Sequence, residues 1–296
     1  MTKKTVITTV ALTAAAAAFN ADAAIFAGFE DMAPTAGGGF LQVTPANLVA
    51  TDADQYSGIM GDGWLNGWEL ENPGGSFRTY RVADFNSLQG GAGNHLDIAY
   101  FADTGNPRIA NTRQYGNSGD FQLDQAGTFE FLFRVNDAST FAAGGFTFIT
   151  FNDGGGLFAN GSTWQITTTS GTTKRWLING GGSNEDSFLN IVEGTTYKFT
   201  INSDPVTQTF NVAIDADNDG MVDFQSADLA FLQDVDEHGG KLSFITQFGT
   251  GEVQSGLSYS LDSVSIQAAE VIPEPASIGL ISFGCLLAIT RRRKSQ

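Results

Sequence analysis

The chain of 296 residues has one cysteine, Cys285, and it lies in an apolar run near the C-terminus. No disulfide can therefore form within the body of the chain, and whatever fold the body adopts is held by its core alone. Histidine is nearly as scarce, with only His95 and His238. Charged residues make up 16% of the chain against a typical value of roughly 25%, and the shortage is of basic ones, 15 Lys+Arg against 32 Asp+Glu. Lys3 and Lys4 open the chain and Arg291 to Lys294 close it, whereas only Asp22 and Glu274 among the acids lie in those end segments. The body between them keeps nine basic and 30 acidic residues, a net charge of −21. Such a body repels nucleic acid and anionic lipid surfaces and favours cations, which excludes nucleic acid as a partner.

Catalytic motifs are missing as well. There is no Gly-x-Ser-x-Gly elbow, no P-loop and no dinucleotide fingerprint. None of the ten Glu residues starts the Glu-x-Asp-x-x-Glu pattern of sandwich-type retaining glycosidases, whose nucleophile and acid sit about 5 Å apart. His95 opens a strand-like stretch. His238 stands in the acidic "DVDEHGG", which reads as a solvated loop, the alternative being a metal contact beside Asp236 and Glu237. With no thiol in the body and no visible nucleophile and base pair, the chain does not read as an enzyme.

Glycine is abundant, 36 of 296 residues or about 12% against roughly 7%, which points to many turns. From Thr128 the text alternates with period two: in "TFEFLFRVN", Phe129, Phe131, Phe133 and Val135 point one way and Glu130 and Arg134 the other, a strand with one buried face. "GGFTFITFN" reads as a strand over Phe146 to Phe151. "TWQITTT" and "TKRWLIN" read as a hairpin around Ser170-Gly171, "YKFTI" and "TFNVAI" as another around "NSDPVTQ". Further strands are expected at His95 to Phe101, Lys241 to Phe248 and Leu257 to Ile266, and a helix only at Ser226 to Val235, where Leu229 and Leu232 follow a Ser cap. Strands without alternating helices predict an all-β, antiparallel jelly-roll sandwich over residues 24–267. In the closing strand, "GLSYSLDSVSIQ", the apolar set passes from odd to even numbers at Asp262-Ser263, which predicts a bulge there.

Two stretches suggest binding. "DADNDGMVD" sets Asp215, Asp217, Asp219 and Asp223 at positions 1, 3, 5 and 9 with Gly220 at 6, the spacing by which a short loop wraps Ca²⁺; position 12 is Ser226 in place of a bidentate Glu. The alternative is an Asp-rich polar turn. "GWLNGWELENPGG" places Trp64 and Trp68 four apart, on one face if extended, either as a platform on which a sugar ring stacks or as core. Trp164 and Trp176, in hairpin strands, read as core.

The two ends carry addresses. Lys3 and Lys4, the uncharged Ala-rich run Val6 to Phe19 and the triplet Ala21-Asp22-Ala23 form a secretory signal peptide over residues 1–23, so the protein is expected to be exported. After a short linker, 268–272, residues 273–296 read Pro273-Glu274-Pro275, an uncharged apolar run from Ala276 to Thr290, and Arg291, Arg292, Arg293 and Lys294. As helix the apolar run would be about 22 Å long, short of the roughly 30 Å hydrocarbon core. It is expected to hold the chain in the membrane as a marginal span, with the arginines left cytoplasmic.

This tail resembles the PEP-CTERM sorting signal of Gram-negative bacteria, three elements agreeing in order and position over 24 residues. The resemblance implies transient anchoring in the inner membrane, processing at Pro-Glu-Pro by an exosortase-type enzyme, and delivery to the cell surface or an exopolysaccharide matrix. The body resembles concanavalin-like and laminin-G-like sandwiches in its strand grammar, and "AGFED" together with "SLDSVSI" resembles the first and last strands of jelly-roll carbohydrate-binding modules. That resemblance implies a second structural Ca²⁺ held by Glu30 and Asp262. The expected function is a non-catalytic, Ca²⁺-stabilised surface or matrix protein, with a carbohydrate-binding module as the alternative and a polysaccharide-acting enzyme third.

Overall fold

Period-two alternation needs a partner sheet to bury its apolar face, and the computed structural model shows that partner. It describes residues 25–27, 29, 41–43, 63–71, 76–90, 93–102, 108–138, 148–154, 161–247 and 254–269. The strands in chain order are β1 (Ile25–Ala27), β2 (Leu41–Val43), β3 (Glu69–Glu71), β4 (Ser76–Ala83), β5 (His95–Ala102) and β6 (Arg108–Gln114). They continue as β7 (Gly127–Ala138), β8 (Phe148–Asp153), β9 (Gln165–Thr168), β10 (Arg175–Asn179), β11 (Asn184–Asn190) and β12 (Thr196–Asp204). The last are β13 (Thr209–Asp215), β14 (Phe224–Gln225), β15 (Leu229–Ala230), β16 (Lys241–Gln247) and β17 (Gln254–Ala268). They form two antiparallel sheets, one ordered β14-β13-β12-β7-β17-β5-β4-β2, with β1 beside β17 and β15 beside β13, the other β11-β10-β9-β8-β16-β6-β3.

The sheets pack through aromatic rings. Phe131 and Phe133 from the ten-stranded sheet meet Phe151 of the seven-stranded one at centroid distances of 5.1 and 4.7 Å. Trp176 stands edge-on to Phe199 at 5.0 Å and to Phe133 at 5.9 Å. Each such pair adds ~1 kcal/mol to the ~2–3 kcal/mol from burying a ring, and this takes the place of the disulfides the body cannot form. Trp164 and Trp176 are both buried, as their hairpin positions predict. Asn111 Nδ2 donates across the core to the Tyr259 hydroxyl at 2.6 Å.

Both predicted hairpins form. β9 pairs β10, with Gly171 at φ +94° in the turn, and β12 pairs β13 with Phe199 opposite Ile214 and Ile201 opposite Val212. The bulge expected at Asp262-Ser263 is also present: the register of β17 against β7 shifts between Asp262 and Ser265, and Ser263 has φ +51°. The bulge lets Leu257, Tyr259 and Leu261 face the same core as Val264 and Ile266. It also divides the strand's other edge, which pairs β5 up to Leu261 and β1 from Val264.

The helix expected at Ser226 to Val235 does not form, and no helix occurs among the described residues. Phe224 and Leu229 instead pair with Ile214 and Phe210 as two short pieces along the edge of β13, and burying Leu229 and Phe231 there outweighs the local helical spacing. The signal segment and the apolar C-terminal run lie outside the described residues.

Candidate functional site

Trp64 and Trp68 are brought together, with ring centroids 6.3 Å apart, but inside the core. They are 4% and 3% exposed, Trp68 stacks on Phe29 and meets Phe244, and the Arg113 guanidinium lies 4.3 Å from the centre of the Trp64 ring. The platform expectation is thereby corrected: rings covered on both sides present no face to a pyranose. Trp64 is held there by its indole N–H, which donates to the Phe26 carbonyl at 3.0 Å.

The acidic loop folds around its first residue. Asp215, buried at the end of β13, accepts backbone N–H groups from Asp219 at 3.1 Å and Gly220 at 2.8 Å, and Asp223 accepts that of Ala216 at 2.7 Å. Asn218 and Gly220 take positive φ, +57° and +90°, which Asn and Gly tolerate best. The result gathers carboxylate oxygens of Asp215, Asp217 and Asp223 within 4.8 Å of one another, whereas Asp219 turns to accept the Met221 N–H. Asp215 Oδ2 accepts a single N–H and retains a lone pair, so three of the four expected ligands fit a hard divalent cation.

Asp262 is fully buried at the bulge, where it accepts the Ser263 N–H at 2.6 Å and the Gln89 Nε2–H at 3.3 Å. Its expected partner Glu30 lies outside the described residues, as do Pro273, Glu274, Pro275, Arg291, Arg292 and Arg293.

A polar constellation is present that the sequence reading did not single out. Across four neighbouring strands the register sets Arg81 of β4 opposite Asp97 of β5, Asp97 opposite Ser260 of β17, and Ser260 opposite Arg134 of β7. All four face away from the core. Asp97, 2% exposed, accepts from Arg81 Nε at 2.8 Å, Ser260 Oγ at 2.5 Å and Asn136 Nδ2 at 3.4 Å. His95 Nε2 stands 3.1 Å away, at an angle outside hydrogen-bond geometry. Burial by itself raises the Asp97 pKa; the contact with His95 and the hydrogen bonds from Ser260 and Arg81 outweigh it and hold the carboxylate at about 2. Arg134 donates to Asn136 Oδ1, the Asn86 carbonyl and Ser260 Oγ, which leaves two of its five N–H groups. Above this row lies a cleft of about 660 Å³, walled by Phe85, Asn86 and Ser87 on one side and Glu193 and Gly194 on another. Phe85 is 41% exposed and carries the Arg81 guanidinium 4.7 Å from its ring centre.

The second polar cluster is closed. Buried Asp153 accepts from the Tyr115 hydroxyl at 2.5 Å, Thr163 at 2.6 Å and the Gly239 N–H at 2.9 Å. His238, expected in solvent, is buried against Phe121 and Phe129, which corrects that reading: its loop folds inward and the ring becomes core. Its Nδ1 is 3.4 Å from Ser203 Oγ and 3.8 Å from Asp153 Oδ2, while Nε2 faces the Gln125 carbonyl at 2.9 Å. A catalytic triad needs nucleophile and carboxylate on opposite ring nitrogens. Here both address the same one, in the interior, so the cluster is structural.

No family model matches the chain, and no curated protein matches it by sequence. Among solved structures, a sialidase is similar at 10% identity and a TM-score of 0.44, covering 69% of this chain and 17% of its own. The receptor-binding domain of botulinum neurotoxin D is similar at 13% identity and a TM-score of 0.35, covering 71% of this chain and 48% of its own. Lectin II from Ulex europaeus is similar at 10% identity and a TM-score of 0.40, covering 68% and 92%. The chain thus spans less than half the length of the first two. Likeness at these TM-scores carries no argument about activity.

Proposed function

We propose that this is a non-catalytic, exported protein of the cell surface or extracellular matrix that binds carbohydrate in the cleft above Arg81, Asp97 and Arg134. The observation that carries the reading is the transverse row Arg81–Asp97–Ser260–Arg134, of which Arg81, Asp97 and Arg134 line an open cleft beside the half-exposed ring of Phe85, while Ser260 is buried and ties Asp97 to Arg134. Sugar hydroxyls both donate and accept, and sites for them combine a few fixed polar groups with an aromatic face. Two carboxylates line the cleft, Asp97 and Glu193, but Asp97 is ionised, 2% exposed and engaged by Arg81 and Ser260, so the cleft does not offer a ligand the pair of working carboxylates that hydrolysis requires.

Glycan-array binding by the purified protein, lost in Arg134→Ala with the circular dichroism spectrum unchanged, tests this directly. An array without hits, or hits that survive Arg134→Ala, would reject the cleft. Release of reducing ends from any bound glycan would overturn the non-catalytic reading. Two further parts of the proposal rest on the sequence: Ca²⁺ held by Asp215, Asp217 and Asp223, with Asp219 beside it, and sorting by the Pro273 to Arg293 tail through an exosortase-type enzyme. Mass spectrometry of the mature protein from its host, giving both ends, tests the sorting.

A further inference from the structure

The outer face of the ten-stranded sheet carries a second hollow, of about 370 Å³, bordered by Phe26, Gln89, Glu130, Lys198, Asn218 and Gln267. Segment 84–90 is the wall between the two: Phe85, Asn86 and Ser87 face the first hollow and Gln89 the second. The wall is fixed in place. Arg134 donates to the Asn86 carbonyl at 2.7 Å, Gln89 to Ser263 Oγ at 2.8 Å and Asn218 to the Leu88 carbonyl at 3.2 Å, and the Leu88 side chain is buried beneath it.

The hollows repeat one inventory. Each has a half-exposed phenylalanine, Phe85 in the first and Phe26, 50% exposed, in the second. Each has an ion pair, Arg81–Asp97 at 2.8 Å and Lys198–Glu130 at 3.0 Å. Each has a side-chain amide, Asn136 in the first and Gln89 in the second. Both are served by the same strand: Glu130 and Asn136 point outward from β7 six positions apart, about 20 Å at strand rise, several times the length of one sugar ring. A repeated inventory at that separation matches a ligand whose own units repeat.

We infer that the two hollows are subsites for a single linear, neutral polysaccharide chain lying along β7 and passing over the 84–90 wall. The inference rests on the carbohydrate reading above and adds the class of ligand. Neutrality follows from the charges: each cation in the ion pairs is matched by a carboxylate, and Glu193 lines the same cleft as Arg134. A polyanion would meet no net positive charge there, and it would have to approach a body of net charge −21.

The test is isothermal titration of the purified protein with ladders of linear gluco-, xylo- and manno-oligosaccharides from mono- to octasaccharide, with alginate and polygalacturonate alongside. Affinity for one neutral ladder should rise about tenfold or more between disaccharide and hexasaccharide, because the second subsite is then reached at high effective concentration. Lys198→Ala and Gln267→Ala should each lower hexasaccharide affinity by about tenfold, against a control, Val206→Ser, in the exposed β12–β13 turn that leaves it unchanged. Unchanged melting temperatures would show the variants folded. Affinity independent of length, yet abolished by Arg134→Ala, would overturn the extended-chain inference and leave the carbohydrate reading standing. Binding of the acidic polymers alone would overturn neutrality, and binding of no glycan would overturn both readings.

Discussion

Asp97 shows how a single side chain can be both a cost and a support. Its burial is unfavourable, and the nearby His95 together with the hydrogen bonds from Ser260 and Arg81 more than offsets it. Its pKa is lowered from 3.8 in the unfolded chain to about 2 in the fold. The stabilisation is therefore present above about pH 4 and lost as pH falls towards 2, an effect of ~2 kcal/mol. Urea midpoints measured between pH 4 and pH 2 should fall for the native protein, and the slope should flatten in Asp97→Asn. His238 acts in the opposite range. Burial lowers its pKa below 6.5, so the unfolded chain takes up a proton first and stability declines as pH drops below 6.5; His238→Gln should remove that part of the decline. At Trp68 the effect is packing. Trp68→Ala should cost ~3–5 kcal/mol and lower the melting temperature sharply, as expected of a core ring and not of a surface platform.

Among the elements, what could be read beforehand is what depends on neighbours in sequence. The hairpins followed from alternation and Gly171, and the β17 bulge followed from a change of parity at Asp262-Ser263, because a strand that keeps one core on one side must add a residue when its pattern slips. Segment 226–235 reads as a helix because Leu229 and Leu232 stand three apart, but of the two only Leu229 bridges to β13, in the two-residue strand β15, and only the position of β13 decides between the two outcomes. The 215–223 loop was legible in its spacing, but not the turning of Asp219 away from the other three carboxylates. For this loop the proposed Ca²⁺ predicts a rise in melting temperature when excess calcium is added to chelator-treated protein. The rise should vanish in Asp217→Ala plus Asp223→Ala; no rise in the native protein would remove the cation from the account.

Across the whole molecule, the cleft was hidden for a specific reason. Arg81, Asp97, Ser260 and Arg134 come from four strands spread over most of the body, and alternation says which face each occupies but not which residues stand opposite one another. One local signal was there: Asp97 interrupts the apolar run of "HLDIAY", and an acid in so covered a strand needs partners. Trp64 and Trp68 are ambiguous in sequence because large rings serve both sugars and cores. In a body without a disulfide the core took both, and among the described residues the rings beside the two hollows on the outer face of the ten-stranded sheet are the smaller Phe26 and Phe85.

The position of β17 has a consequence for the order in which the chain can fold. It alone joins β14-β13-β12-β7 to β5-β4-β2, and it also takes β1 from the other end of the body. A chain that has grown only as far as residue 253 has two open strand edges, β7 and β5, waiting for a segment not yet made. Such long-range closure is slow and leaves the unfinished chain prone to stick to itself. A version truncated after residue 253 should therefore be recovered as aggregate, whereas the full chain refolds in one slow phase that ends when β17 slides between its neighbours.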